Sequence, residues 1–97
     1  MAGMADFTTQ HDTEGARYVA TLDGDEIGEA AYSDTDEGRV FTHTEISPQH
    51  GGQGYGTRLV RAALDDTREA GLTPIGQCSM VQAFLDKHPE YARPATS

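Results

Sequence analysis

The sequence predicts an α+β fold in which a mostly antiparallel sheet is flanked by helices. Three observations support this fold class: apolar and polar residues alternate along the first half, the hydrophobic period becomes helical at Gly56, and a short strand-like segment follows that helix. The predicted order of elements is β-β-β-β-α-β-α. Because 97 residues leave room for one hydrophobic core, we expect a single domain over residues 1–97.

The first half predicts a meander of short strands joined by polar turns. The segment RYVATL places Tyr18, Ala20 and Leu22 on one face, and the Asp-Gly-Asp sequence after it is typical of a hairpin turn. Two other turn clusters, DTEGA and DTDEG, separate the remaining strands. The predicted strands are residues 7–11, 17–22, 26–33 and 39–46, preceded by a loose start over residues 1–6.

The second half predicts a helix, a strand and a second helix. The first helix carries an apolar stripe formed by Leu59, Val60, Ala63 and Leu64. Gly71 suits the left-handed residue that ends many helices, and Ser79 suits the N-cap of the next helix, which Pro89 ends. A right-handed crossover lays the intervening strand parallel to residues 39–46. The predicted elements after the first helix are a strand over residues 73–78, a helix over residues 80–87 and a loose tail over residues 92–97.

The composition bounds the classes of partner. The net charge is −9, and residues 1–45 hold 11 of the 16 acidic residues, so nucleic acid and anionic membranes are poor partners. The acidic residues of this half either form a solvated surface or attract cationic amines. The lone Cys78 allows neither an intramolecular disulfide nor a thiolate metal cluster, and no pair of histidines has metal-ligand spacing. The N-terminus lacks an apolar core of signal-peptide length, which favours a cytoplasmic location.

A glycine-dense loop lies between the last meander strand and the first helix. Gly51, Gly52, Gly54 and Gly56 offer bare backbone N–H groups at a helix N-terminus, which is a site for phosphate or pyrophosphate. The loop lacks the Lys-Ser/Thr ending of a Walker A motif. Its position late in a short chain, after an antiparallel meander, also disfavours a Rossmann fold.

The arrangement resembles the GCN5-related N-acetyltransferases, whose signature is Arg/Gln-x-x-Gly-x-Gly/Ala between a central strand and a helix. Gly54-Tyr55-Gly56 matches the glycines, while Gly51 stands at the usual Arg/Gln position. The ordered set HTE, GQGYG, a cysteine and HPEY resembles the minimal, YjdJ-type branch of that superfamily over about residues 17–91. The resemblance implies the minimal form of the acyl-CoA N-acyltransferase fold, with an open substrate site.

The resemblance also implies an activity and a cofactor site. The activity is transfer of acetyl from acetyl-CoA to an amine, on a small molecule or a protein, and needs no metal. A backbone N–H of the strand at residues 41–46 would meet the thioester carbonyl. The implied cofactor-binding residues are Ile46, Gly51, Gly52, Gln53, Gly54, Tyr55, Gly56, Thr57 and Arg58.

Cys78 and His43 are the candidate catalytic residues. Cys78 precedes a helix N-terminus, where a thiolate is favoured, and the resemblance implies that it protonates the CoA thiolate or accepts the acetyl group; otherwise it is a small buried apolar residue. His43 suits a general base, since imidazole titrates near neutral pH, or it is a hydrogen-bonded sheet residue with Glu45 as a surface charge. Tyr55 either packs on CoA or anchors the helix. Arg58 and Arg61 either meet the ribose phosphate or are solvated.

The sequence therefore leaves two candidate functions. The first is an acetyl-CoA-dependent N-acetyltransferase. The second is a catalytically weak or inactive CoA-binding module, which the loss of the Arg/Gln side chain at Gly51 favours. Phe84 also favours it, because it stands on the helix where the superfamily often has a tyrosine acid. We expect a monomer or a weak dimer.

Overall fold

The computed structural model describes residues 6–94, which form one five-stranded sheet with two α-helices. The order of the strands in the sheet is the order in the chain, and every pair is antiparallel except the last, which is parallel. The elements are β1 (Phe7–Asp12), β2 (Arg17–Leu22), β3 (Asp25–Thr35), β4 (Gly38–Ile46), α1 (Tyr55–Glu69), β5 (Pro74–Gly76) and α2 (Ser79–Lys87), with 3₁₀ turns at Pro48–His50 and Pro89–Ala92. This architecture confirms the predicted fold class.

The core lies between the sheet and the two helices. The predicted apolar stripe of α1 is fully buried, and it packs with Val81 and Phe84 of α2 against Phe41 at the centre of the sheet. The helices cover one face of the sheet, which we call the helix face, and the opposite face is called the outer face. Burying such side chains stabilises the fold by about 1.5–3 kcal/mol each.

The ends of the helices partly match the prediction. Gly71 has a φ of 81°, and the N–H groups of Gly71 and Leu72 bond to the carbonyls of Arg68 and Thr67, which confirms the predicted helix end. The predicted N-cap was wrong by one residue, because Cys78 is the N-cap of α2 and makes no side-chain capping bond.

β4 contains a bulge that the sequence pattern did not predict. Ala31 pairs with His43 while Tyr32 pairs with Phe41, so Thr42 is an extra residue in β4. A bulge reverses the alternation of side chains beyond it. Phe41 and Thr44 therefore both face the helices, whereas His43 lies on the outer face.

A buried polar cluster holds the start of β4 to α1. Arg39 is 7 % exposed; its guanidinium donates two hydrogen bonds to Asp34, at 2.7 and 3.0 Å, and one to Tyr18 Oη at 2.7 Å. These bonds lower the pKa of Asp34. Tyr18 in turn donates to Asp66 Oδ2 at 2.7 Å, and burial raises the pKa of Tyr18 to about 12. His11 stacks on the Tyr18 ring, with 4.2 Å between the ring centroids.

The residues after α2 fold back on the helices. The ring of Tyr91 packs edge-on against Phe84, 5.1 Å between centroids, and the Arg68 guanidinium lies 4.7 Å from the Tyr91 centroid. Arg68 also donates to the carbonyl of Arg93 at 2.8 Å. The HPEY motif thus joins the end of α2 to α1. Of the predicted loose ends, residues 1–5 and 95–97 lie outside the described residues.

Candidate functional site

β4 and β5 separate soon after they meet. They pair at only three positions, residues 39–41 with Pro74–Gly76, and the N–H groups of Gln77 and Cys78 then both bond to the carbonyl of Phe41. Among the described residues, no strand pairs with the β5 side of β4 over residues 42–46. We call this side the open edge of β4. Such a gap exposes main-chain donors and acceptors that an extended ligand can use.

The glycine loop leaves backbone donors at the start of α1. Gly54 is the N-cap in the left-handed conformation, with a φ of 84°, and no side chain caps the helix. The bond from the Arg58 N–H to the Gly54 carbonyl, 3.1 Å, is an i to i−4 bond of the first turn. The N–H groups before Arg58 in that turn have no helical carbonyl to bond. Together with the helix dipole, they form a site suited to an anion.

These donors border a cavity of about 400 Å³. Six of the nine predicted cofactor residues line it, and no carboxylate of the described residues does, although the chain is strongly acidic. Gly56 allows the close approach of Met80, because an added Cβ would lie 3.1 Å from Met80 Sδ. The cavity is lined by Ile46, His50, Gly51, Gly52, Gly54, Gly56, Thr57 and Met80.

The other three predicted cofactor residues do not line this cavity. Tyr55 stacks on Phe7 of β1, with ring centroids 5.3 Å apart, so it anchors the helix start against the sheet. The Arg58 guanidinium lies 4.2 Å from the centroid of the same Phe7 ring. Gln53 is exposed in the loop. The side chains of Tyr55 and Arg58 therefore point toward β1, away from the cavity.

Cys78 lies on the helix face beside the open edge of β4. Its Sγ is 3.2 Å from Thr44 Oγ1, and the residue is partly buried against the core. It is also the N-cap of α2, so it stands at the N-terminal end of that helix. Cys78 and Thr44 thus form one hydrogen-bonded pair at the point where β4 and β5 separate.

His43 lies on the outer face of the same stretch of β4. Its Nε2 is 2.7 Å from Glu45 Oε1, and the two side chains are 56 % and 65 % exposed. His43 and Cys78 are therefore on opposite faces of the sheet and do not contact each other. The structure instead places them on either side of the open edge.

The comparisons with known proteins agree with this geometry. A sequence profile of the family described as GCN5-related N-acetyl-transferase matches residues 17–94. The chain belongs to that family. It is also similar to the NMR structure of a GCN5-like candidate N-acetyltransferase from Staphylococcus aureus, with a TM-score of 0.63 and 26 % identity over 89 % of this chain and 82 % of that chain. No curated protein sequence matches the chain significantly.

Three residues of this candidate site were missed in the sequence. Thr44 was missed because simple alternation, without the bulge at Thr42, gives no reason to pair it with Cys78. Met80 and His50 line the cavity but belong to no motif. The glycine-dense context of His50 was the one available signal, since a side chain within such a loop borders whatever the loop binds.

Two absences hold for residues 6–94. No group of three or more His, Cys, Asp or Glu side chains there is arranged to hold a metal ion. No helix in that part of the chain is long and apolar enough to cross a membrane.

Proposed function

We propose that this protein is a minimal acetyl-CoA-dependent N-acetyltransferase that acetylates an amine. One observation carries the proposal: the open edge of β4 ends at Ile46, which lines a cavity rimmed by bare helix-end N–H groups. A ligand with an anionic centre and an extended amide-bearing arm fits this combination, because the cavity accepts the anion and the strand edge pairs with the arm. Coenzyme A has both parts.

The residues present fit the cofactor. The cavity at the start of α1 offers backbone donors and, within residues 6–94, no carboxylate in its lining, so the groups there favour a pyrophosphate. Gly51 lacks the Arg/Gln side chain of the family signature. Packing does not exclude a side chain at position 51, because an added Cβ would meet only the Pro48 carbonyl, at 3.4 Å. The backbone donors would then hold the pyrophosphate without that side chain.

Acetyl-CoA would supply the thioester whose acetyl group passes to the amine. A main-chain N–H on the open edge of β4 would polarise the thioester carbonyl, as a fixed dipole requires no reorganisation during the reaction. On the helix face, Cys78 is the group that can give a proton to a thiolate leaving group. The Thr44 hydroxyl, 3.2 Å from Cys78 Sγ, would hold the thiol in place.

On the outer face, His43 is the candidate general base. The acceptor amine must lose a proton to attack, and an imidazole at the edge of the gap suits that role. The Glu45 carboxylate accepts a hydrogen bond from Nε2, so Nδ1 of His43 would be the nitrogen that accepts the proton of the amine. In this assignment the cofactor and the acceptor approach the open edge from opposite faces of the sheet.

A CoA-binding module without turnover is the second candidate. Phe84 favours it, because this residue of α2 is 6 % exposed and its side chain has no ionisable proton. Gly51 also favours it, because it lacks the Arg/Gln side chain of the family signature. The minimal, YjdJ-type branch is the part of the family in which we place the chain under either function.

One experiment separates the two functions. Purified protein is mixed with acetyl-CoA and a panel of small amines and lysine peptides while release of free thiol is followed, and CoA binding is measured by calorimetry. We expect binding and amine-dependent thiol release. Binding without release for any amine, and without acetylation of Cys78 in mass spectra, would leave the binding module. No binding of CoA would reject both functions.

A further inference from the structure

We infer that Lys87 binds the 3′-phosphate at the adenosine end of CoA, in the groove between α1 and α2. The inference rests on the proposed function, because it concerns the part of the cofactor that lies beyond the pyrophosphate. Four observations support it: a second cavity, its continuity with the first, the lack of an ion-pair partner for Lys87 among residues 6–94, and the distance between the two sites.

A second cavity of about 270 Å³ lies between the helices. It shares Thr57 and Met80 with the cavity at the glycine loop, so the two cavities adjoin at the first turns of α1 and α2. A ligand bound at the loop can therefore extend into the groove. Apolar side chains form most of its wall and Lys87 and His88 lie at its far end; the lining is Thr57, Val60, Met80, Ala83, Phe84, Lys87 and His88.

Lys87 is the single lysine of the sequence. None of the ion pairs within residues 6–94 involves it. Arg17 and Arg39 are held by carboxylates, while Arg58, Arg61 and Arg68 lie over aromatic rings. The partners of these five arginines are Asp12, Glu26 and Glu29 for Arg17, Asp34 for Arg39, and Phe7, Phe84 and Tyr91 for the others.

The charge on CoA gives Lys87 a role. The protein has a net charge of −9, so a polyanionic ligand is repelled unless cations lie close to its phosphates. Backbone donors serve the pyrophosphate at the loop, but the groove offers no helix N-terminus at its far end. Lys87 is the charged side chain that lines it, and His88 adds a ring that packs 4.5 Å from Phe84.

The distance between the two sites suits one ligand. Lys87 follows Met80 by two helical turns, which is about 10 Å along the axis of α2 at ~1.5 Å per residue. A lysine side chain can point back toward the helix N-terminus and shorten this gap. An adenosine between the two sites would lie against the apolar wall that Val60 and Phe84 form.

A competing explanation for the position of Lys87 requires no ligand. Lys87 lies in the last turn of α2, where a cation interacts favourably with the helix dipole without any ligand. That explanation predicts no dependence of Lys87 variants on the 3′-phosphate.

Calorimetry with CoA and with 3′-dephospho-CoA tests the assignment. In the wild type we expect CoA to bind about 3- to 10-fold more tightly than the dephosphorylated form. Lys87→Gln should lose this preference by weakening CoA alone, and Lys87→Arg should restore it. Arg68→Gln removes the same charge outside both cavities and should keep the preference.

Three outcomes would overturn the assignment. They are a wild type that binds both forms equally, a Lys87→Gln variant that keeps the wild-type preference, and one that weakens both forms by the same factor. Thermal unfolding of each variant shows whether the fold is retained. A wild type that binds neither form rejects the proposed function itself, which distinguishes that failure from the failure of the lysine assignment.

Discussion

Gly54 and Gly71 allow a matched test of the glycine loop, because they stand at the two ends of α1. Their φ values are 84° and 81°, and an added Cβ would meet no atom within 4 Å at either position. An alanine in this left-handed conformation costs about 1–2 kcal/mol. Gly54→Ala and Gly71→Ala should therefore lower the free energy of unfolding by similar amounts, with the melting temperature falling by about 4–8 °C for each kcal/mol.

The two variants should differ in their binding of CoA. Only Gly54 of this pair lines the cavity at the loop, so its new methyl group would stand between the helix-end donors and the pyrophosphate. Loss of one hydrogen bond to a charged group costs about 1.5–3 kcal/mol, which weakens binding about 10- to 150-fold. The Kd for CoA should rise by this factor in Gly54→Ala and stay at the wild-type value in Gly71→Ala.

Urea unfolding and calorimetric titration with CoA measure the two effects separately. If both variants bind CoA as the wild type does, the pyrophosphate does not lie at the start of α1 and the cofactor site is wrong. If Gly71→Ala weakens binding as much as Gly54→Ala, the effect comes from α1 as a whole and not from the loop. Unequal losses of stability would refute the argument from φ.

Four further predictions concern the core and the candidate catalytic residues. Tyr18→Phe should cost about 1–3 kcal/mol of unfolding free energy, because Arg39 and Asp66 each lose a buried hydrogen-bond partner; unchanged urea unfolding would contradict this. Since burial raises the pKa of Tyr18 to about 12, from about 10 when unfolded, the wild type should lose about 2–3 kcal/mol between pH 10 and pH 12 that Tyr18→Phe does not lose, as alkaline unfolding curves can show. Cys78→Ala should bind CoA but release thiol more slowly, and full turnover would remove Cys78 from the mechanism. His43→Gln should lower kcat/KM about 10²- to 10⁴-fold with little change in the Kd of CoA, and an unaltered kcat/KM would exclude it as the base.

Much of the fold was predictable because local pattern and global structure agree. The Asp-Gly turn after Leu22, the apolar stripe beginning at Leu59 and the glycine at position 71 each favour one backbone conformation, and each was found where expected. The glycine loop was recognisable for the same reason. That its residues act as backbone donors to a ligand stays a prediction, which rests on the lack of a side chain at Gly54 and Gly56.

The site was harder to predict where tertiary contacts decide the geometry. The bulge at Thr42 depends on how β3 and β4 pair, and no local signal in FTHTEI marks it. Without it, Thr44 and Cys78 would face apart, and their contact could not be foreseen. The direction of Arg58 was likewise set by Phe7, which is distant in sequence and lies at the start of β1.

The identical order of the strands in the sheet and in the chain has a consequence for folding. β1 to β4 can pair as successive hairpins, each closed by a short turn, whereas β5 reaches β4 only after the segment containing α1 has folded back. Local pairings of the first kind form early, since they require little loop-closure entropy. The three-position pairing of β5, together with α2, should then form last and open first in native-state hydrogen exchange. The proposed cofactor site would lie on the boundary between these two cooperative units, so binding of CoA would protect the weaker unit from opening.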